Sequence, residues 1–536
     1  MKKTKFTPET DVKKVEARDT DIFKGKGCIK NYMSGFYRAA IVAMLVLLQL
    51  AFIIVLSVWL SGATVYIYAI IEFASLIIIF GLVNDSRRPS YKIAWICTIL
   101  ILPVTGHIMY ALWGVKNRKK KLDMAIINCI KRGEGYLTRN DELVESFTRR
   151  YPTKSRMVSF LQANNMPLFA NNSVKYFQMA DIAFESIFED IKAAKKFVLI
   201  DFFIVGEGVL WDRMHEILKK KVTEGVEIKF MFDDFGSMFR IPKNFKESLE
   251  AEGIQVAIFN PIHRYTGKLY MNYRSHQKII VIDGNIAYTG GMNLADEYVN
   301  LVERFGIWKD AGIRIEGDAA WGFTVVFFQM WEACHGFRTI DYDKYRPCKK
   351  FTKSDIYCQV VSDGPVRNPK HPIEGLYKHI IYCAKNYIFI ATPYLLIEDD
   401  MRQALIYAAE SGVDVRIITP YIPDKKLVKL LTEYNYGQLL KNGVKIYEYK
   451  PGFIHSKVII NEECGVVGTV NMDYRSFFLH YECGAFLCDR KAISPIKDDF
   501  LTTLGVCRQV TYDEWLHRPL YIKILQNALS FFSTLM

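Results

Sequence analysis

From about residue 155 onward the chain is written twice, and this duplication limits the available folds more than any other feature. Strand-like runs alternate with amphipathic helical ones, the pattern of α/β domains. Lys195-Lys-Phe-Val-Leu-Ile200 matches Lys385-Asn-Tyr-Ile-Phe-Ile390, and Gly225-Val-Glu-Ile-Lys-Phe230 matches Gly412-Val-Asp-Val-Arg-Ile417. The separation shrinks from 190 residues (Lys195 to Lys385) to 187 (Gly225 to Gly412) and 179 (His276 to His455), as copies with different loop lengths require. The expected division is a linker over 116–154, a first domain over 155–345, a second over 346–515 and an amphipathic tail over 516–536.

Each copy carries the same polar cluster. In the first, His276-Gln-Lys278-Ile-Ile-Val-Ile-Asp283 precedes Gly290-Gly-Met-Asn293; in the second, His455-Ser-Lys457-Val-Ile-Ile-Asn-Glu462 precedes Gly468-Thr-Val-Asn471. Period-two alternation sets the His and Lys of each copy on one strand face, with Gly-x-x-Asn closing a turn beside it. Downstream, Lys309-Asp310-Ala-Gly matches Tyr481-Glu482-Cys-Gly, so Asp310 and Glu482 give each copy a carboxylate able to orient an imidazole. Two histidines let one attack while the other protonates a leaving group, with the roles reversing in a second half-reaction. Two lysines and two amides suit the equatorial oxygens of a phosphodiester as charge redistributes. Nothing in the cluster has the make-up of a metal cage, so the lysines take the part that Mg²⁺ takes elsewhere.

The amino-terminal part reads differently. Residues 39–71 contain no charge, and Ala39–Leu60 would make a helix about 33 Å long, enough for a hydrocarbon core of about 30 Å. Ala63–Val83 is a second expected span, and only Ser61 and Gly62 separate the two. A third apolar run, 93–113, is interrupted by Pro103, Gly106 and His107 and reads as a dipping segment. Lysines of the arm 1–37, Arg87, Arg88 and Lys92 of the next loop, and Lys116-Asn-Arg-Lys-Lys-Lys121 fall on one side only with two spans. The expectation is a multi-pass cell-membrane protein with cytoplasmic catalytic domains. Glu72, near the middle of the second span, is a functional candidate. The alternative for it is a plain contact with the dipping segment and His107. Eleven scattered cysteines without C-x-x-C spacing argue against a disulfide framework or a structural zinc site.

At the paired clusters the sequence resembles the phospholipase D superfamily, whose signature is a doubled H-x-K-x-x-x-x-D followed by Gly and Asn, and within it the bacterial cardiolipin synthases. Asp233-Asp-Phe-Gly-Ser237, Phe259-Asn-Pro261, Thr392-Pro-Tyr394 and Val470-Asn-Met-Asp-Tyr-Arg-Ser-Phe-Phe478 extend the likeness, as does Ala94-Trp95 through Tyr110. The resemblance implies two homologous α/β domains, each a mixed sheet flanked by helices, behind a transmembrane hairpin, with the active site at their interface. It also implies transfer of a phosphatidyl group between two phosphatidylglycerol molecules, giving cardiolipin and glycerol without a cofactor. Through it, His276, Lys278, Asp283, His455, Lys457 and Glu462 become catalytic candidates, with His276 favoured as the nucleophile. Asn293 and Asn471 become phosphate-binding, and Asp310 and Glu482 histidine-orienting. The second copy departs from the pattern, having Glu462 where the family has Asp and one residue fewer before its Gly. A carboxylate one methylene longer in a loop one residue shorter can make the same backbone contacts.

The net charge of +13 fits attraction to anionic lipid, phosphatidylglycerol among it. Three other readings stay open at this stage. One is a phospholipase D-type hydrolase or a transferase to another alcohol; the second is a nuclease, against which the membrane hairpin argues. The last is a non-catalytic scaffold that binds anionic lipid.

Overall fold

The computed structural model describes residues 64–531 apart from 86, 115–119, 262–272, 336–337, 350, 352–353, 355 and 368–369, together with residues 44, 47, 49, 51 and 54. The basic arm, nearly all of the first expected span and most of the Lys116–Lys121 run lie outside the described residues.

Among those described, one helix is long and apolar enough to cross a membrane, Val65–Val83 within α1 (Thr64–Val83). Lys92 Nζ donates to the carbonyls of Val83 and Asp85, closing its carboxyl end where helix carbonyls lack partners. Proline then opens α2 (Pro89–Ile101) at its first position, where no N–H is missed. The third apolar run is broken as the sequence implies. It bends at Leu102–Val104 into α3 (Thr105–Met109) and a π-helical turn, Tyr110–Gly114. Gly106 permits the fold-back, since a Cβ there would stand 2.5 Å from the Thr98 carbonyl oxygen. His107 binds Ser75 Oγ at 3.2 Å, whereas Glu72 is exposed on α1. The contact considered between Glu72 and His107 is therefore replaced by one between His107 and Ser75, one helical turn further along.

The region from Asn172 to Val510 holds two large sheets of matching topology. In the first repeat the strands are β1 (Asn172–Phe177), β2 (Phe197–Phe202), β3 (Glu227–Asp233), β4 (Gln255–Phe259), β5 (Ile279–Ile282), β6 (Ile286–Gly290) and β7 (Gly312–Gly317), in spatial order β1-β7-β6-β5-β2-β3-β4. The second repeats this order with β8 (Tyr357–Asp363), β9 (Tyr387–Ala391), β10 (Asp414–Pro420), β11 (Lys445–Tyr449), β12 (Val458–Ile460), β13 (Cys464–Gly468) and β14 (His480–Cys488). In both, three strands run parallel and the others antiparallel. The second sheet adds β15 (Cys507–Val510) at one edge and the pair Leu168–Phe169 at the other.

Alternation along the strands divides the core. Leu199, Ile279 and Val281 of the first sheet and Cys483, Ala485 and Leu487 of the second face one shared apolar core. Ile200, Ile280 and Ile282 turn to an outer core of the first repeat, and Ile388, Val466 and Phe486 to one of the second. Strands buried on both faces read as continuous apolar runs, which is how Ile279–Ile282 appears in the sequence. Helix Ala319–Cys334, apolar on every side, fills the shared core.

The expected start of the first domain at 155 needs correction. Phe147, Met157, Val158, Leu161 and Leu168 pack with Ile373, Leu376 and Ile388 of the second repeat, and Leu168 and Phe169 pair with Gln359 and Cys358. The first repeat's own sheet begins at Asn172. An apolar helical stripe signals burial but not which of two similar sheets it will cover.

Candidate active site

Two short pairings between the repeats build the site. Arg274 and Ser275 run parallel to His480 and Tyr481, and His276 N–H donates to the Tyr481 carbonyl at 2.9 Å. Symmetrically, Lys309 bridges Ile454 in parallel, and His455 N–H donates to the Lys309 carbonyl at 2.7 Å. Because Tyr481 precedes Glu482 and Lys309 precedes Asp310, this register sets each imidazole against the carboxylate of the other repeat. His276 Nδ1 lies 2.9 and 3.0 Å from the two Glu482 oxygens, and His455 Nδ1 lies 2.7 Å from Asp310 Oδ2. Each dyad is thus split between the copies. Nothing in either copy's own sequence specifies that crossing.

The carboxylates are themselves held. Glu482 accepts from Thr469 Oγ1 at 2.5 Å, and Asp310 accepts from the Ala311 N–H at 2.9 Å. At Gly291, which corresponds to Thr469, a Cβ would fall 2.0 Å from Asp310 Oδ1 and 2.7 Å from the His455 carbonyl oxygen. Glycine is therefore required where the Asp310–His455 pair passes closest. The whole of each His-x-Lys triplet precedes its strand: residues 276–278 and 455–457 are irregular, and β5 and β12 start directly after the lysines. Each lysine folds back, Lys278 Nζ donating to the His276 carbonyl at 2.7 Å and Lys457 Nζ to that of His455 at 2.5 Å.

All four groups are buried, and burial disfavours charge. Desolvation, reinforced by Lys278, holds His276 well below the usual imidazole range; desolvation and Lys457 bring His455 down to about 4 despite Asp310. Both rings are consequently neutral bases near neutral pH. Desolvation also lowers Lys278 to about 8 and Lys457 to about 7, against the pull of Glu482 and Asp310. Asn293 accepts from the Ile204 N–H with its Oδ1 at 3.0 Å, and its Nδ2 is buried without a hydrogen-bond partner among the described residues. Asn471 likewise keeps a buried amide atom, Oδ1, unpartnered. Polar groups buried this way are costly unless something binds them.

Asp283 and Glu462, grouped with the catalytic candidates by the motif, stand apart from the cluster and brace backbone instead. Asp283 accepts from the backbone N–H groups of Lys195, Lys196 and Phe197 at 2.8, 2.8 and 3.0 Å. Glu462 accepts from those of Lys385 and Asn386 at 3.0 and 3.5 Å, the positions matching Lys195 and Lys196. Each brace stands at the far end of the strand that follows its lysine, roughly 15 Å along an extended chain. The longer Glu462 side chain makes up for the shorter loop, and the fully buried Lys154, 4.0 Å away, adds an ion pair.

His480 is a neighbour that sequence reasoning missed. Its ring centroid is 5.6 Å from that of His276, and its Nδ1 is 3.8 Å from Glu482 Oε1. The signal was available as H-x-E on one strand. In the first repeat the matching residue is Trp308, with its ring centroid 5.4 Å from that of His455.

The sequence family described as cardiolipin synthase, phospholipase D-like domain, matches residues 187–314 and again 377–504, and one described as phospholipase D-nuclease N-terminal matches 69–114. The major cardiolipin synthase of Bacillus subtilis is 33% identical over 465 residues, covering 85% of this chain and 95% of that protein. The chain belongs to the cardiolipin synthase family. An uncharacterized protein of Streptococcus mutans is 37% identical over 443 residues, 80% of this chain and 93% of that one. Among solved structures, the phosphatidylserine synthase of Haemophilus influenzae has a TM-score of 0.54 at 16% identity, covering 70% of this chain and 97% of its own. That likeness bears on the fold alone. For this cardiolipin synthase family member, the doubled fold and the crossed dyads are two aspects of one duplication.

Proposed function

We propose that the protein transfers a phosphatidyl group from one phosphatidylglycerol to the terminal hydroxyl of a second, releasing glycerol and forming cardiolipin. The observation that carries this reading is the pair of buried imidazoles, each hydrogen-bonded through Nδ1 to a carboxylate of the other repeat and each beside a lysine. In the first half-reaction Nε2 of one histidine attacks phosphorus while the other imidazole, protonated in the substrate complex, gives its proton to the departing glycerol oxygen. A phosphatidyl-histidine results. In the second, the now neutral imidazole removes a proton from the incoming hydroxyl, whose oxygen attacks phosphorus and displaces the first histidine. Lys278, Lys457 and the Asn293 and Asn471 amides hold the phosphoryl oxygens, and Asp310 and Glu482 fix the tautomers. His276 is assigned the attack.

Phosphatidylglycerol and other anionic lipids are the partners in this reading, and no nucleic acid is. The basic excess supports it, as does the helix Leu520–Ser530, which leaves Leu520, Tyr521 and Ile524 exposed. The same reading makes the protein multi-pass with its catalytic part in the cytoplasm. An impermeant maleimide should then label exposed Cys348 in inside-out vesicles and not in intact cells; the reverse pattern defeats the orientation.

The deciding experiment is conversion of labelled phosphatidylglycerol in liposomes by wild type, His276→Ala and His455→Ala. Cardiolipin with one glycerol per turnover, lost in both variants, is expected. Phosphatidic acid as sole product makes the protein a hydrolase, and no conversion by folded wild type removes the enzymatic reading.

A further inference from the structure

His480 stands in the catalytic cluster without a task in the proposed transfer. It lies two residues before Glu482 in β14, so the alternation of the strand brings both side chains to one face. Its Nδ1 has no hydrogen-bond partner among the described residues and faces Glu482 Oε1 at 3.8 Å, the oxygen that His276 Nδ1 approaches at 2.9 Å. One ligand atom from each of the three residues lies within 4.8 Å of the others. A tetrahedral ion with bonds of about 2.0–2.1 Å spaces its ligand atoms about 3.3–3.5 Å apart, between the two distances to Glu482 and within the 4.8 Å that bounds the three atoms. Small ring rotations therefore bring all three onto one ion. Two imidazoles and a carboxylate suit Zn²⁺ and its neighbours in the transition series, whereas Ca²⁺ and Mg²⁺ require oxygen cages. The other dyad has no such set, because Trp308 occupies the matching place and supplies no ligand.

We propose that His276, His480 and Glu482 form a binding site for Zn²⁺ or a similar nitrogen-preferring divalent cation, and that occupancy switches catalysis off. The ion replaces the proton between His276 Nδ1 and Glu482, releasing it to solvent. Its charge then removes the nucleophilicity of the ring and ties up the orienting carboxylate. The inhibitory part rests on the function proposed above; the binding part does not.

The test is titration of the purified full-length protein in detergent with Co²⁺, followed by visible absorption, with His480→Asn alongside. Wild type should take up one equivalent per chain with the intense bands of tetrahedral Co²⁺ and no thiolate charge-transfer band, Zn²⁺ should displace it, and His480→Asn should lose the signal. In the turnover assay Zn²⁺ should inhibit wild type reversibly on adding EDTA, and His480→Asn should need at least ten times more. Equal inhibition of both proteins overturns the proposal, and so does a wild type giving weak octahedral bands, a thiolate band or no uptake. Should His480→Asn fail to fold, His480→Gln replaces it, and the wild-type spectrum still decides against cysteine ligation or no site. A wild type with the tetrahedral signal but no turnover in metal-free buffer upholds the site and removes the function instead.

Discussion

At the scale of single residues, the chemistry depends on where protons reside. A carboxylate facing Nδ1 leaves Nε2 free to take or give a proton, and general acid–base catalysis is worth about 10²–10⁴-fold. Asp310→Asn should accordingly lower kcat by at least about 10²-fold with the circular dichroism spectrum unchanged, since an amide can turn its N–H toward the ring and impose the wrong tautomer. Retention of more than half the wild-type kcat would contradict that role. The lysines predict the pH dependence. Lys457, held to about 7, and Lys278, held to about 8, are cations below those values and neutral above them. As pH rises through 7 and then 8, the free enzyme loses the charges proposed to bind the phosphodiester, so kcat/KM should decline on the alkaline side from near pH 7. His455, brought down to about 4 in the free enzyme, titrates below that window and gains its proton only in the substrate complex. A kcat/KM profile level to pH 9 would remove the lysines from phosphate binding.

Secondary-structure elements are joined by groups that the motif alone groups with the catalysts. Asp283, in the left-handed region at φ 51°, and Glu462 tie the strand after each His-x-Lys triplet to the amino end of the neighbouring strand. Lys154, just before the helix Ser155–Gln162, is fully buried against the second repeat, donating to the Cys383 carbonyl at 3.0 Å and facing Glu462 and Glu463 at 4.0 and 3.8 Å. Arg150 and Tyr151 reinforce the same junction through Asp489. Removing both acids strands a buried cation, a loss of about 3–5 kcal/mol. The Glu462→Gln, Glu463→Gln double variant should thus melt well below wild type, while its kcat at a temperature where it is folded stays within about threefold. A kcat as low as that of His455→Ala at unchanged melting temperature would return Glu462 to the catalytic set.

For the molecule as a whole, one active site arises from two incomplete halves. Neither repeat contains a finished His–carboxylate dyad, because His276 needs Glu482 and His455 needs Asp310. The shared core and the ion pair of Lys309 with Asp499 at 2.7 Å hold the halves in register. All four groups belong to one chain, so a mixture of His276→Ala and His455→Ala proteins should show no recovered turnover. Recovery toward a quarter of wild type after mixing under refolding conditions would mean that the repeats exchange between chains.

Much of this was legible in the linear chain, for identifiable reasons. Duplicated strands announce themselves through matched apolar runs such as Lys195–Ile200 and Lys385–Ile390, and a spacing of two residues links His276 to Lys278 wherever the segment is extended. The break at Pro103 and Gly106 was visible because proline removes a donor and glycine admits close approach. Partnership across the chain was not. Which carboxylate meets which imidazole, why Gly291 cannot carry a side chain, that 141–169 covers the second sheet, and that His480 shares an oxygen with His276 all follow from contacts between segments far apart in sequence. Local propensity determined the strands, the helices and the identity of the reactive groups; only the register between the two repeats, set by backbone hydrogen bonds from His276 to Tyr481 and from His455 to Lys309, decided how those groups pair.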